Sequence, residues 1–394
     1  MIVMDRIDYN LKPNGEIAFK QKIYYKYLRI IKKCKIMNNQ IKNRRDLFDF
    51  FEENILHTYE NLTDGQELDY SQNLLKTQII ETNINVNLFK KKYSIKKFSK
   101  ISNNLAELVI GKNNSVMFLD SSDSRFWLFY SLEKSNVFNN EIEKLMNRVN
   151  SGLDYTWIPI NMQRDFRKLG KFRGLGTTYK PKEVFSEKYV EDNLSFGDLS
   201  IKSWGRGSEK LYNILEKNKE TKKFLSLSSI GIKKTVADDF VLEDIGYNGN
   251  FTTRGGNSIQ LHLDILDHIN NEYSTLLKTI EDGCLSYQTN DTGTKIYGDC
   301  IIINLQNRIN NIEEFISNVI SSKKPFMLWG LQTKLEKDYY KVKGIDLHNG
   351  DKYTMEISPD WIRLYLDKSA CGNTALRILV NIQHYYDSGA SLAM

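Results

Sequence analysis

An α+β fold, with mixed, mostly hairpin-linked sheets, flanking helices and a helical basic N-terminal segment, is predicted by three features of this sequence. Candidate strands are joined by turn signals such as Gly111-Lys-Asn-Asn-Ser115, Asn248-Gly249 and Asn349-Gly350 more often than they alternate with helices. The helical stretches carry apolar stripes at a 3.6-residue period. No segment recurs at a fixed period, which disfavours solenoids and propellers.

Taken in order, Ile23, Tyr27, Ile30 and Cys34 fall on one face of a predicted helix, and Lys22, Lys26, Arg29 and Lys33 on a second face. A second helix is predicted through Leu47, Phe48, Phe51, Ile55 and Tyr59, with Asp46 as its cap. The polar stretch 63–71 reads as a linker. Ile80, Ile84, Val86 and Leu88 alternate with polar residues and predict a half-exposed strand. A basic run covers 90–100, a hairpin is expected across 108–119, and a strand at 124–132 leads to a short helix ending near Asn150.

The stretch 151–182 has little periodicity. Beyond it a strand is predicted at 198–204, a helix at 208–225 with Leu211, Ile214 and Leu215 inward, and a strand at 225–234. Asn248-Gly249 between Phe240–Ile245 and Phe251–Thr253 predicts a type I′ hairpin. A long helix over 264–281 carries Leu266, Ile269, Tyr273, Leu277 and Ile280 on one stripe. Strands at 296–305, 326–331, 339–347 and 352–358, a helix at 309–321 and a terminal helix from Asn373 to Tyr386 complete the chain. At roughly 100–200 residues per domain, this divides as a basic helical segment 1–71, a mixed α+β region 72–182 and an α+β domain 183–394.

The composition is 41% hydrophobic and 12% aromatic, which excludes disorder over most of the length. No apolar run approaches the roughly 18 residues of a spanning helix, and Asp5 and Asp8 interrupt any signal-like start, so a cytoplasmic protein with no membrane partner is expected. The net charge of +6 is modest, so the distribution of cations matters more than their sum. Abundant Asn and Lys with only 5 prolines suggest an AT-rich genome, such as a low-GC bacterium or a mobile element.

Cys34, Cys284, Cys300 and Cys371 form no C-x-x-C pair, so no zinc finger, redox motif or disulfide scaffold is expected. Four constellations bear on chemistry. The first is a basic-aromatic stretch: Arg164, Arg167, Lys168, Lys171, Arg173, Lys180 and Lys182 interleave with Phe166, Phe172 and Tyr179. Such cations bind phosphates, aromatic faces stack unpaired bases, and Gly170, Gly174 and Gly176 let a backbone come close. GKFRGLG at 170–176 matches neither a Walker nor a Rossmann pattern. The second is the N-terminal basic face of Lys22, Lys26, Arg29 and Lys33. The third is Asp120 with Asp123, which a loop or capping role explains better than a Mg²⁺ site; Glu220-Thr221-Lys222 fits the short nuclease pattern but falls on a predicted helix. The fourth, His262 to His268 in HLDILDH, reads as structural. The five tryptophans read as core anchors.

The leading expectation is a nucleic-acid-binding, DNA-binding component of a bacterial multi-protein system, such as antiviral defence against mobile DNA. Its binding residues would be Arg164, Arg167, Lys168, Lys171, Arg173, Tyr179, Lys22, Lys26, Arg29 and Lys33. The alternatives are a metal-dependent nuclease or other phosphoryl hydrolase built from scattered carboxylates, and a protein-interaction scaffold. Nucleic acid and a protein partner are expected; no catalytic set, metal or cofactor is.

Overall fold

The computed structural model describes residues 41–63, 73–93, 95–290 and 293–393. Lys22, Lys26, Arg29, Lys33 and Cys34, and nearly all of the expected linker, lie outside them. The described residues form ten helices and two large antiparallel sheets, an α+β fold.

Helix α1 (Arg44–Thr63) is capped by Asn43, whose side chain accepts the Asp46 N–H at 3.0 Å, while Asp46 reaches back to the Lys42 N–H at 2.9 Å. Asp46 is therefore the third helical residue and not the cap. Strand β1 (Leu75–Thr82) is buried along its whole length, because it lies in the middle of a sheet covered on both faces here. The strand expected through Leu88 ends early. Asn85 accepts the Leu88 N–H and starts helix α2 (Val86–Lys92). Positions 80, 84 and 88 satisfy a period of four as well as a period of two, and the cap decides between them.

Strands β2 (Ile95–Ser102), β3 (Leu105–Ile110), β4 (Ser115–Asp120) and β5 (Phe126–Ser131) form a meander, followed by α3 (Ser135–Met146) and the short β6 (Leu153–Tyr155). The aperiodic stretch resolves into α4 (Ile160–Asp165), a 3-10 turn at Phe166–Leu169 and β7 (Lys171–Tyr179). Helix α5 (Glu187–Asn193) and strand β8 (Leu199–Trp204) follow. The predicted 208–225 helix is split into α6 (Ser208–Lys217) and α7 (Lys219–Lys222) by Asn218, which caps the second piece. Tyr212 is its buried anchor, and Ile214 is 57% exposed rather than inward. Strands β9 (Leu227–Val236), β10 (Asp239–Gly246) and β11 (Asn250–Gly256) complete the large sheet, and Gly249 alone takes positive φ in the Asn248-Gly249 turn, so that turn is not type I′.

The large sheet runs β2-β3-β4-β5-β1-β11-β10-β9-β7-β8, with β6 beside β1. It continues across the boundary expected at 182/183, since β7 pairs with both β8 and β9. Helix α8 (Ile259–Asp282) lies with α1 on one face, its predicted apolar stripe buried throughout. Gly255 allows the close approach of α1: a methyl there would meet Tyr59 Cβ at 3.0 Å.

The second sheet follows a small hairpin of β12 (Ser286–Asn290) and β13 (Gly293–Tyr297). It contains β14 (Ile301–Asn304), β15 (Leu328–Glu336), β16 (Tyr339–Asp346), β17 (Lys352–Ile357), β18 (Trp361–Leu366) and β19 (Ser391–Ala393), in the order β15-β16-β17-β18-β14-β19. Helix α9 (Ile312–Val319) packs against it. Helix α10 (Asn373–Tyr385) is buried on nearly every side, and one continuous core joins both sheets through it. Trp127 and Trp157 are core anchors as expected, whereas Trp204 and Trp329 are 42% and 46% exposed.

Candidate functional site

The two halves of the large sheet are covered differently. On the face away from α1 and α8, the half around β3, β4 and β5 carries Trp127, Phe129 and Leu108, which pack against Phe89 of α2 and Phe138 and Ile142 of α3. The half around β7–β11 carries polar residues and glycines on that face, and no helix among the described residues lies over it. A cleft of 660 Å³ opens there. Asn139 and Glu143 of α3 form one wall, and Lys324, Met327, His348 and Tyr385 another. Lys324 bridges the rim to Glu143 at 2.5 Å.

Strand register builds the floor. One row crosses the sheet as Trp204, Gly174, Gly231, Asp244, Thr252 and Lys76. The next holds Lys202, Gly176, Ser229 and Gly246, with Gln78 paired to Asn250 further along. The glycines explain the posture of Trp204. A methyl added at Gly174 would lie 2.2 Å from Trp204 Cε3, and one at Gly231 would lie 2.2 Å from Cζ3. The indole thus reclines across both glycines, one face on the backbone and the other toward solvent. The same point above Gly231 is 3.2 Å from Asp244 Oδ1, so the ring reaches the carboxylate of the third strand along.

Asp244 gathers cations. Arg254 Nε donates to its Oδ2 at 2.5 Å. Arg173 Nη1 faces Oδ1 at 3.9 Å, too far for a hydrogen bond, and both atoms are buried without a hydrogen-bond partner. Burial pushes the Asp244 carboxyl up against the pull of Arg254 and Arg173, and burial lowers Arg173. Lys76, at the far end of the row, donates to the Leu74 carbonyl at 2.8 Å, and burial with the charge of Arg254 brings its ammonium down to about 8. Two cations therefore face one carboxylate, and Lys202 stands exposed beside Trp204 with no ion pair among the described residues. This end of the cleft offers an aromatic platform next to excess positive charge. Among the described residues no three His, Cys, Asp or Glu side chains converge as a metal-holding group.

Of the residues expected from sequence, only Arg173 reaches the floor, facing Asp244 from beneath the cleft surface. Arg164 faces Glu216 at 3.2 Å, and Arg167 faces Glu209 at 3.3 Å with its guanidinium 4.4 Å from the Tyr212 ring; all three of these partners are on α6. Lys168 pairs with Asp165 at 2.5 Å, and Lys171 is exposed at the start of β7. Tyr179 is fully buried, its hydroxyl donating to the Tyr386 carbonyl at 2.8 Å, so it is a core residue and not a stacking surface. Asp120 pairs with Arg44 and accepts the Ser122 N–H, and Asp123 accepts the Arg125 and Phe126 N–H groups, both structural as expected. His262 is buried against Glu243 at 2.9 Å on the opposite face of the sheet. The residues missed were Lys202 and Asp244, and Trp204, expected in the core, lies on the floor instead. One signal was present: the alternation Gly174-x-Gly176 on β7 matches Lys202-x-Trp204 on β8, a bare strand beside a furnished one.

The family model for MJECL33-like proteins matches residues 36–394, a span that contains every cleft residue named above. The chain belongs to the MJECL33-like family. It is 32% identical over 385 residues to MJECL33, an uncharacterized protein of Methanocaldococcus jannaschii, with 88% of this chain and 93% of that relative covered. No solved structure matches. The MJECL33-like match thus runs through both sheets.

Proposed function

We propose that this member of the family binds single-stranded nucleic acid, seating one unpaired base on the open face of Trp204 with the adjoining phosphate at Arg254 and Lys202. The observation that carries the reading is the posture of Trp204, flat across Gly174 and Gly231 and 42% exposed, beside a surplus of cations. A flat ring with one face open stacks any base, and the amides of Asn139 on the wall and Asn250 on the floor can meet polar base edges. The Lys324–Glu143 bridge across the rim supports a cleft that takes a flexible strand rather than a rigid duplex.

The test is fluorescence anisotropy with labelled oligothymidine and oligouridine at low salt. Wild type binds at least one of them. Trp204→Ala weakens binding about tenfold or more, and Trp204→Phe recovers part of the loss. No binding of either oligomer by wild type, or equal binding by Trp204→Ala, would overturn the proposal.

A further inference from the structure

The second sheet has one face against the core and one that no described residue covers. Val342, Met355 and Leu364 lie on the inner face. On the outer face, register places Trp329 beside Ile345 and Leu331 beside Lys343. Trp329, Leu331, Leu335 and Ile345 are 46, 67, 45 and 37% exposed, on and beside the edge strand β15. Sheets ordinarily bury an apolar face under a helix, and nothing among the described residues covers this one.

The charges on the face specify the covering element. Lys343 and Lys352 flank Ile345, both exposed and without an ion pair among the described residues. The carboxylate of Glu356 is already shared by Lys341 at 3.8 Å and the Tyr365 hydroxyl at 3.0 Å. A second copy would bring like cations together, and the chain's own residues 22–33 carry the same sign. Nucleic acid would meet the charge and could stack on Trp329, but it would leave Leu331, Leu335 and Ile345 uncovered, whereas an apolar helix stripe covers all four.

We propose that this outer face docks an acidic amphipathic helix of a partner protein, its apolar stripe on Trp329, Leu331 and Ile345 and its carboxylates on Lys343 and Lys352. This is a helix-on-sheet contact that the described residues do not supply here, made between chains. The inference is independent of the cleft.

The probe is a synthetic helix of about 18 residues, with Leu at i, i+3, i+4 and i+7 spacing and Glu elsewhere, alongside a counterpart carrying Lys for Glu. Binding to the full chain is followed by anisotropy. The Glu peptide binds and the Lys peptide does not. Lys343→Glu with Lys352→Glu weakens the Glu peptide about tenfold and admits the Lys peptide. Leu331→Asp, at an exposed position, abolishes binding with an unchanged melting temperature, and Trp204→Ala leaves peptide binding intact. Failure of the Glu peptide to bind, or binding indifferent to the charge reversal, would overturn the proposal. So would a wild-type dimer dissociated by Leu331→Asp, or oligonucleotide binding lost in that variant.

Discussion

Arg377 donates from Nη1 to Asp154 at 2.6 Å, tying helix α10 to a strand 223 residues earlier. Its Nη2 meets Asp346, its Nε donates to the Phe326 carbonyl at 3.1 Å, and the guanidinium is almost without solvent. Burial alone would raise the Asp346 carboxyl, but Arg377, the Thr374 hydroxyl and the His348 N–H outweigh it and hold it below its ordinary value. Replacing Arg377 with Met leaves two buried carboxylates without their cation. Such a loss costs about 3–5 kcal/mol, read as a shift in the urea midpoint. A shift of a few tenths of a kcal/mol would mean that water relieves the site.

Glu81 gives a pH dependence of unusual sign for a carboxylate. It accepts from Arg125 Nε at 3.2 Å and lies 3.4 Å from the Cys371 thiol, yet burial pushes it from 4.5 up to about 7. A carboxyl raised on folding contributes stability that is present below its unfolded value and lost as pH rises through about 7. The stability of Glu81→Gln relative to wild type should therefore improve by about 3 kcal/mol between pH 4.5 and pH 8. His384 has the opposite sign. Burial lowers it to about 4, so its contribution is full above 6.5 and lost as pH falls through about 4. Chemical denaturation of wild type, Glu81→Gln and His384→Gln across this range separates the two, and parallel curves for wild type and Glu81→Gln would refute the assignment.

The hairpins at 105–120 and 339–357 were legible because turn residues and alternation agree over short distances. The cleft was not, for reasons that also lie in distance. Apolar neighbours around Trp204 cannot say which face of the strand it takes, and Trp329 was misread in the same way. The cations 164–171 look free in sequence because Glu209 and Glu216 lie some forty to fifty residues on, on a helix whose place only the fold determines. Asp244, Arg254 and Lys76 meet through strand register, which no local pattern encodes. The glycines of GKFRGLG were read as room for a phosphate, but Gly174 is room for an indole.

That role makes Gly231→Ala informative. Its methyl would lie 2.2 Å from Trp204 Cζ3 and 3.2 Å from Asp244 Oδ1, so the indole must lift from the floor. Because Trp204 is already partly exposed, the expected cost in stability is small, about 1 kcal/mol or less. In a chain whose other four tryptophans are replaced by Phe, Trp204 emission should shift to the red and become more open to iodide quenching. Oligonucleotide affinity should fall with it. An unchanged emission maximum would show that the ring does not rest on Gly231 in solution.

The salt dependence of binding decides between the cleft and the stretch 164–171 as the path of the strand. Each phosphate neutralised on a single strand contributes about 0.7 to the slope of log affinity against log salt. Lys202 and Arg254 line the cleft beside Trp204, so changing both to Gln should lower the slope by about 1.4. Arg164 and Arg167 already face Glu216 and Glu209, and only Lys171 of that stretch stands exposed without an ion pair among the described residues. Changing Arg164, Arg167 and Lys171 to Ala should therefore lower the slope by no more than about 0.7. The same triple variant should lose some stability, because Arg167 also packs its guanidinium 5.1 Å from the Phe172 ring and 4.4 Å from Tyr212. Melting curves measured beside the titrations keep that loss apart from binding. If the triple variant removed about two units of slope while the Lys202 and Arg254 changes removed none, the strand would run along α6 and the 3-10 turn, and the cleft would lose its assignment.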